Sequence, residues 1–172
     1  MMKKKVQDAL NAQINEELYS AYIYFAMAAY FKSLNLDGFA HWMEIQTLEE
    51  LSHAFKFYGY MNDRGGRPVM AAISKPPLEW DSPLAAFQEA YKHEQHISAA
   101  INKLVDLSIQ ESDHAMNNML QWFVAEQVEE EASADEIVKK LKLIGDNGTG
   151  VLMIDQELAA RVFTPPATVG GA

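Results

Sequence analysis

The sequence contains no cysteine. That excludes disulfides, Cys-ligated zinc and ordinary Cys-ligated iron–sulfur sites. It also lacks any run of about 20 apolar residues, so nothing in it is expected to span a membrane. The start, Met1 to Lys5, is basic, but Gln7, Asp8, Asn11 and Gln13 interrupt the next stretch, so no secretory signal is expected. Basic residues are scarce, with 14 Lys and Arg against 24 Asp and Glu, a net charge of −10. Binding along a phosphate backbone needs the opposite balance, so no nucleic-acid partner is expected. Proline and glycine are sparse too, at 6 and 9. What is present is 172 residues with 49% hydrophobic side chains, enough for one domain with a sizeable core. The expectation is a soluble, cytoplasmic protein.

The few glycines and prolines divide the chain. Residues 3–33 contain neither and read as one long helix. Asn35-Leu36-Asp37-Gly38 breaks it, with Asp37 the candidate cap of the next helix, 39–63. A connection of about 18 residues comes next, long by loop priors. Ser82-Pro83 reads as a cap and first-turn proline ahead of a third helix, 84–110. Glu111-Ser112-Asp113 is a turn before a fourth helix, 114–144, which Gly145 stops. A short fifth helix is expected over 151–162, with residues 165–172 a frayed tail after a domain of 1–164. No segment alternates with a period of two, so no strand is expected. Four helices of about 25–31 residues, each about 38–46 Å long, fit an all-α four-helix bundle.

The apolar stripes of these helices are interrupted. Steps of three and four residues give Leu10, Ile14, Glu17, Ala21, Tyr24, then Met43, Gln46, Glu50, His53, Phe57. The third and fourth helices give Phe87, Tyr91, Glu94, Ser98, Ile101, and Phe123, Gln127, Glu130, Ala134. In a hairpin of the first two helices, Glu17 and His53 lie roughly 26 and 22 Å from the turn. Glu94 lies roughly 24 Å from the second hairpin's turn, with Gln127 and Glu130 roughly 21–26 Å from it. All the interruptions therefore fall at mid-height. Spacing alone does not decide whether the long connection crosses the bundle, but Glu50, His53 and Glu94 are central either way.

Buried carboxylates without partners are expensive. Glu17, Glu50, Glu94 and Glu130 bring four negative charges, and no Lys or Arg shares their stripe segments. Two divalent cations would balance them. Oxygen ligands with one imidazole suit Fe, Mn or Zn. The simplest reading is a dinuclear metal site inside the bundle.

At these residues the sequence resembles the haem-free ferritins of bacteria and archaea. The resemblance is carried by Asn15-Glu16-Glu17-Leu18-Tyr19-Ser20, by Glu49-Glu50-Leu51-Ser52-His53 and by Trp122-Phe123-Val124-Ala125-Glu126-Gln127-Val128-Glu129-Glu130-Glu131. It implies a ferritin-like bundle whose long second connection crosses over. It implies that Glu17, Glu50 and His53 hold one iron, and that Glu50 bridges to a second held by Glu94 and Glu130. Gln127 would stand beside bound oxygen, and Tyr24 and Trp122 would be the redox-capable aromatics. Glu49, Glu126 and Glu129 would form an outlying third iron site that shares Glu130. The activity implied is oxidation of Fe(II) to Fe(III) by O2 or peroxide, with ferric mineral stored in a self-assembled cage, expected to have 24 subunits.

Two departures narrow the resemblance. Bacterioferritins carry Glu-x-x-His on two helices, whereas the fourth helix here has Gln127-x-x-Glu130. Their haem-binding methionine position is Leu51, so no haem is expected. Rubrerythrins add a Cys-ligated domain that this chain cannot build. Three other classes stay open on the residues alone: a non-enzymatic metal-stiffened shell, a di-iron oxygenase with an organic substrate, and a plain helical interaction module. His93-x-x-His96 lies off the stripe and reads as surface, as does His41. Arg64-Gly65-Gly66-Arg67 precedes no helix and lacks the residues of a phosphate loop.

Overall fold

A computed structural model describes residues 2–165. The expected tail, 165–172, lies outside the described residues except for its first position. The order is α1 (Lys4–Ser33), α2 (Asp37–Asp63), α3 (Pro83–Gln110), α4 (His114–Ile144) and α5 (Gly148–Leu158). There is no strand among the described residues. No helix among them is long and apolar enough to cross a membrane.

Local chemistry sets most of these limits. Ser82 caps α3 by accepting from the Ala85 N–H at 3.1 Å, with Pro83 at the first helical position. Asp113 caps α4 through the Met116 N–H at 3.0 Å, and Gly145 ends it at φ +56°. Two expectations need correction. Asp37 is not the cap of α2 but its first residue, and its carboxylate is held by Lys32 at 2.9 Å. The first amides of α2, of Gly38 and Phe39, donate to Asp155 of α5, at 2.8 and 3.0 Å. The fifth helix begins three residues earlier than expected and ends four residues sooner. Asn147 caps it through the Gly150 N–H at 3.0 Å, and the two glycines in its first turn hide that start from a propensity reading.

The long connection crosses the bundle. Near its start Val69 N–H donates to Asn11 Oδ1 at 2.8 Å, and near its end the Tyr30 hydroxyl donates to the Trp80 carbonyl at 2.8 Å. Asn11 and Tyr30 are roughly 28 Å apart along α1, so the strap runs the length of that helix. It follows that α2 and α3 point the same way, and each is antiparallel to its hairpin partner.

Two apolar clusters fill the bundle. One holds Tyr24, Met27, Phe31, Phe39, Met43 and Phe87, under a cover of Ile154 and Leu158 from α5. The other holds Leu10, Ile14, Phe57, Met61, Ile101 and Phe123. On every long helix the sequence passes from one cluster to the other through polar residues. These are Gln13, Glu17 and Ser20 on α1, Gln46, Glu50 and His53 on α2, Glu94 on α3, and Gln127 and Glu130 on α4. The packing therefore places one buried polar layer between two apolar cores.

Candidate metal centre

Every mid-stripe interruption points inward. Glu17 and Glu50 are each 1% exposed, His53 and Glu94 2%, and Gln127 and Glu130 5%. Helical spacing explains the α2 pair: residues three apart share a face, so Glu50 and His53 present their side chains to the same volume. There His53 Nδ1 lies 3.5 Å from Glu50 Oε2 and 4.0 Å from Glu17 Oε2.

The free atoms are the informative ones. Glu17 Oε1 accepts from Gln13 Nε2 at 2.8 Å, and Glu50 Oε1 accepts from Gln46 Nε2 at 3.2 Å. The second oxygen of each, Oε2, is buried with no hydrogen-bond partner. Native proteins rarely leave such atoms unpaired. Both orphaned oxygens converge with His53 Nδ1, and Glu17, Glu50 and His53 have the mutual spacing of metal ligands. The glutamines orient each carboxylate so that one oxygen is anchored and the other is presented, as partners behind metal ligands do.

The other half of the layer is built around Glu94. Its carboxylate accepts from the Tyr24 hydroxyl and, at 3.2 Å, from Gln127 Nε2. Gln46 Nε2 also donates to Glu130 Oε2 at 2.7 Å, so one amide joins Glu50 to Glu130 across the bundle. Trp122 packs edge-on against the His53 ring at 5.4 Å, with Lys56 Nζ 4.1 Å from the Trp122 ring centre. His53, Glu126 and Glu130 form a second convergent trio. Of the expected outlying set, Glu126 is thus brought in, Glu49 pairs with Arg161 instead, and Glu129 is exposed.

The electrostatics come from crowding acids in a dry space. Burial, and then the Glu50 charge, push the Glu17 carboxyl well above its ordinary range. Burial and Glu130 push Glu50 up to about 8. Glu94 is raised by burial, then by Glu50 and Glu130, and Tyr24 by burial and Glu94. An acid with a raised folded pKa contributes stability that is complete below its unfolded pKa and is lost as pH rises through the folded one. Metal-free protein should therefore lose stability between about pH 4.5 and pH 8, the interval spanned by Glu50. Differential scanning calorimetry of metal-free protein should show Tm falling by on the order of 10 °C from pH 6 to pH 8.5. Zn(II) at pH 8.5 should restore it, because a cation replaces the missing protons.

In the sequence Gln46 stands in the α2 stripe without a role, and further participants lie outside the stripes. Gln13 and Gln46 both precede one of the converging glutamates by four residues, a repeated Gln-x-x-x-Glu spacing that would have revealed them. His93, expected on the surface, is half-buried. Its Nε2 bonds Ser20 Oγ at 2.8 Å, its ring lies edge-on to Tyr24 at 5.9 Å, and burial lowers its pKa to about 4. His96 is exposed, beside Glu16 at 3.1 Å. His41 is half-buried and donates to the Arg161 carbonyl at 2.8 Å.

Comparison with known proteins gives one consistent result. The family model described as a ferritin-like domain matches residues 7–144. The bacterial non-heme ferritin of Bacteroides fragilis is 41% identical over 161 residues, covering 94% of this chain and all of that protein. That of Staphylococcus saprophyticus is 39% identical over 163 residues, covering 95% of this chain and 98% of the relative. Among solved structures, an open-pore ferritin from the archaeon Archaeoglobus fulgidus superposes with a TM-score of 0.93 at 51% identity, covering 94% of this chain and all of that one. A closed form of the same ferritin, engineered by site-directed mutagenesis, superposes with a TM-score of 0.94 at 52% identity, covering 95% of this chain and all of that one.

Proposed function

The chain belongs to the ferritin family, and from that premise we propose that its buried polar layer is a ferroxidase centre that prepares iron for storage. The observation that carries this reading is the pair of orphaned carboxylate oxygens, Glu17 Oε2 and Glu50 Oε2, facing His53 Nδ1. Those three atoms would hold one Fe(II). Glu50 also faces the Glu94 and Glu130 half of the layer, so a second Fe(II) would take Glu94 and Glu130 and share Glu50.

The residues do three things at such a centre. They exchange protons for metal: carboxyls raised by burial hold protons when empty and release them as iron enters. They fix direction, since Gln13, Gln127 and Tyr24 each hold one carboxylate oxygen and Gln46 holds one of Glu50 and one of Glu130. They also set the electron count. Two ferrous ions side by side give up two electrons together, so O2 with two protons leaves as H2O2, and H2O2 with two protons leaves as two waters. Paired metals about 3.5–4 Å apart let one oxidant draw on both. Tyr24 and Trp122 flank the two halves as the redox-capable aromatics of the centre. The ferric product is then stored as mineral.

Storage needs a container. Tyr22, Phe25, Phe55 and Tyr58 are large apolar side chains between 46% and 70% exposed, which suits contacts between copies of the chain. A shell of 24 subunits and residence in the cytoplasm go with this reading. Light scattering should give a particle many times larger than a single 19.3 kDa bundle. Mixing metal-free protein with Fe(II) in air should give a rapid rise in ferric absorbance, with O2 uptake set by iron and independent of any organic substrate. A rise no faster than in buffer would sink the proposal.

A further inference from the structure

At the rim of the centre, one protein cation stands where the family resemblance expects a metal ligand to be free. Arg161 lies beyond α5 and reaches back onto α2. Its Nη2 pairs with Glu49, and its Nη1 donates to the Trp42 carbonyl at 3.3 Å. The guanidinium lies 4.2 Å from the centre of the Trp42 ring, and the Arg161 carbonyl accepts from His41 Nε2 at 2.8 Å. Both ends of this residue are therefore anchored to α2. The pair is largely shielded, with the Arg161 and Glu49 side chains 19% and 17% exposed. A stacked, forked contact of this kind is specific to arginine, because lysine offers neither the plane nor the fork. Besides Arg161, the ionisable groups that act most strongly on Glu49 are Glu130, His53 and Glu126. These three are the residues of the second convergent trio, yet Glu49 belongs to neither trio.

We propose that Arg161 is a built-in occupant of the outlying cation position, which keeps Glu49 out of a third metal site and limits the centre to two tightly held ions. The inference rests on the two-ion reading above. A third divalent cation then gains Glu49 only by taking it from the guanidinium. Third-ion binding and docking of the segment after α5 oppose each other, and the coupling is reciprocal. Arg161 is thus a specificity-determining residue for ion capacity, placed on the C-terminal segment and outside the bundle that holds the ligands.

Zn(II), which undergoes no redox change, is the probe. Calorimetric titration of assembled, metal-free protein should show two tight ions per subunit and a weaker third. In R161Q the third ion should tighten by roughly tenfold, the worth of a shielded ion pair. The gain should vanish in the R161Q/E49Q double variant. A third-ion affinity unchanged in R161Q overturns the proposal. If R161Q does not assemble, hydrogen exchange on the unmodified protein decides. Residues 159–165 should exchange faster at three Zn(II) per subunit than at two, and equal exchange overturns it. Fewer than two tight ions in the unmodified protein would instead contradict the two-ion reading itself.

Discussion

Changing Glu17 and His53 together to alanine should abolish the fast phase of ferrous oxidation, slowing it by roughly 100-fold or more. Two of the three convergent atoms belong to these side chains, and the third, Glu50 Oε2, cannot hold an ion alone. The variant should still fold. Glu17 is a buried acid whose free oxygen has no partner, so its removal relieves as well as disrupts. The fall of Tm with pH should also become shallower, because one of the raised carboxyls is gone. Stopped-flow absorbance on the same iron load measures the rate. An unchanged fast phase would show that oxidation happens elsewhere on the protein.

Gly38→Ala should detach α5 and lower Tm by on the order of 10 °C. A Cβ built on Gly38 would sit 1.7 Å from the Asp155 carbonyl oxygen, and backbone cannot yield as a side-chain tip can. Moving α5 away breaks the hydrogen bonds from Gly38 and Phe39 to Asp155 and uncovers Ile154 and Leu158. A lost cap is worth about 1 kcal/mol and each uncovered side chain about 1.5–3 kcal/mol, so the sum exceeds about 4 kcal/mol. Gly59→Ala is the control. It lies inside α2 with nothing within 4 Å of the added carbon, so it should raise stability by about 0.5–1 kcal/mol. Calorimetry, with proteolysis to detect a loose α5, separates the two. A Gly38→Ala protein as stable as the unmodified one would refute the close docking.

The bundle and its polar layer were legible in the sequence for one reason: helical periodicity is a long-range regularity. Thirty residues without proline fix the phase of a helix well enough that Glu17, Glu50, His53, Glu94 and Glu130 could be placed inward and at one height. What periodicity cannot carry is contact between elements far apart in the chain. Asp155 caps α2 from 117 positions away, where local capping rules pointed to Asp37. Arg161 claims Glu49 from beyond the last helix, at a separation of 112, so the outlying set expected from the motif is divided. His93 lies off the apolar stripe, and its contact with Ser20 comes from the packing of α3 on α1. Gln13 and Gln46 were within reach, since their four-residue lead over Glu17 and Glu50 is a local signal.

Anomalous diffraction at the iron edge, from crystals soaked in Fe(II) without oxygen, tests the central claim most directly. Two peaks about 3.5–4 Å apart are expected inside each bundle. One should contact Glu17, Glu50 and His53, and the other Glu50, Glu94 and Glu130. Iron bound only on the surface, with the buried layer empty, would contradict the account.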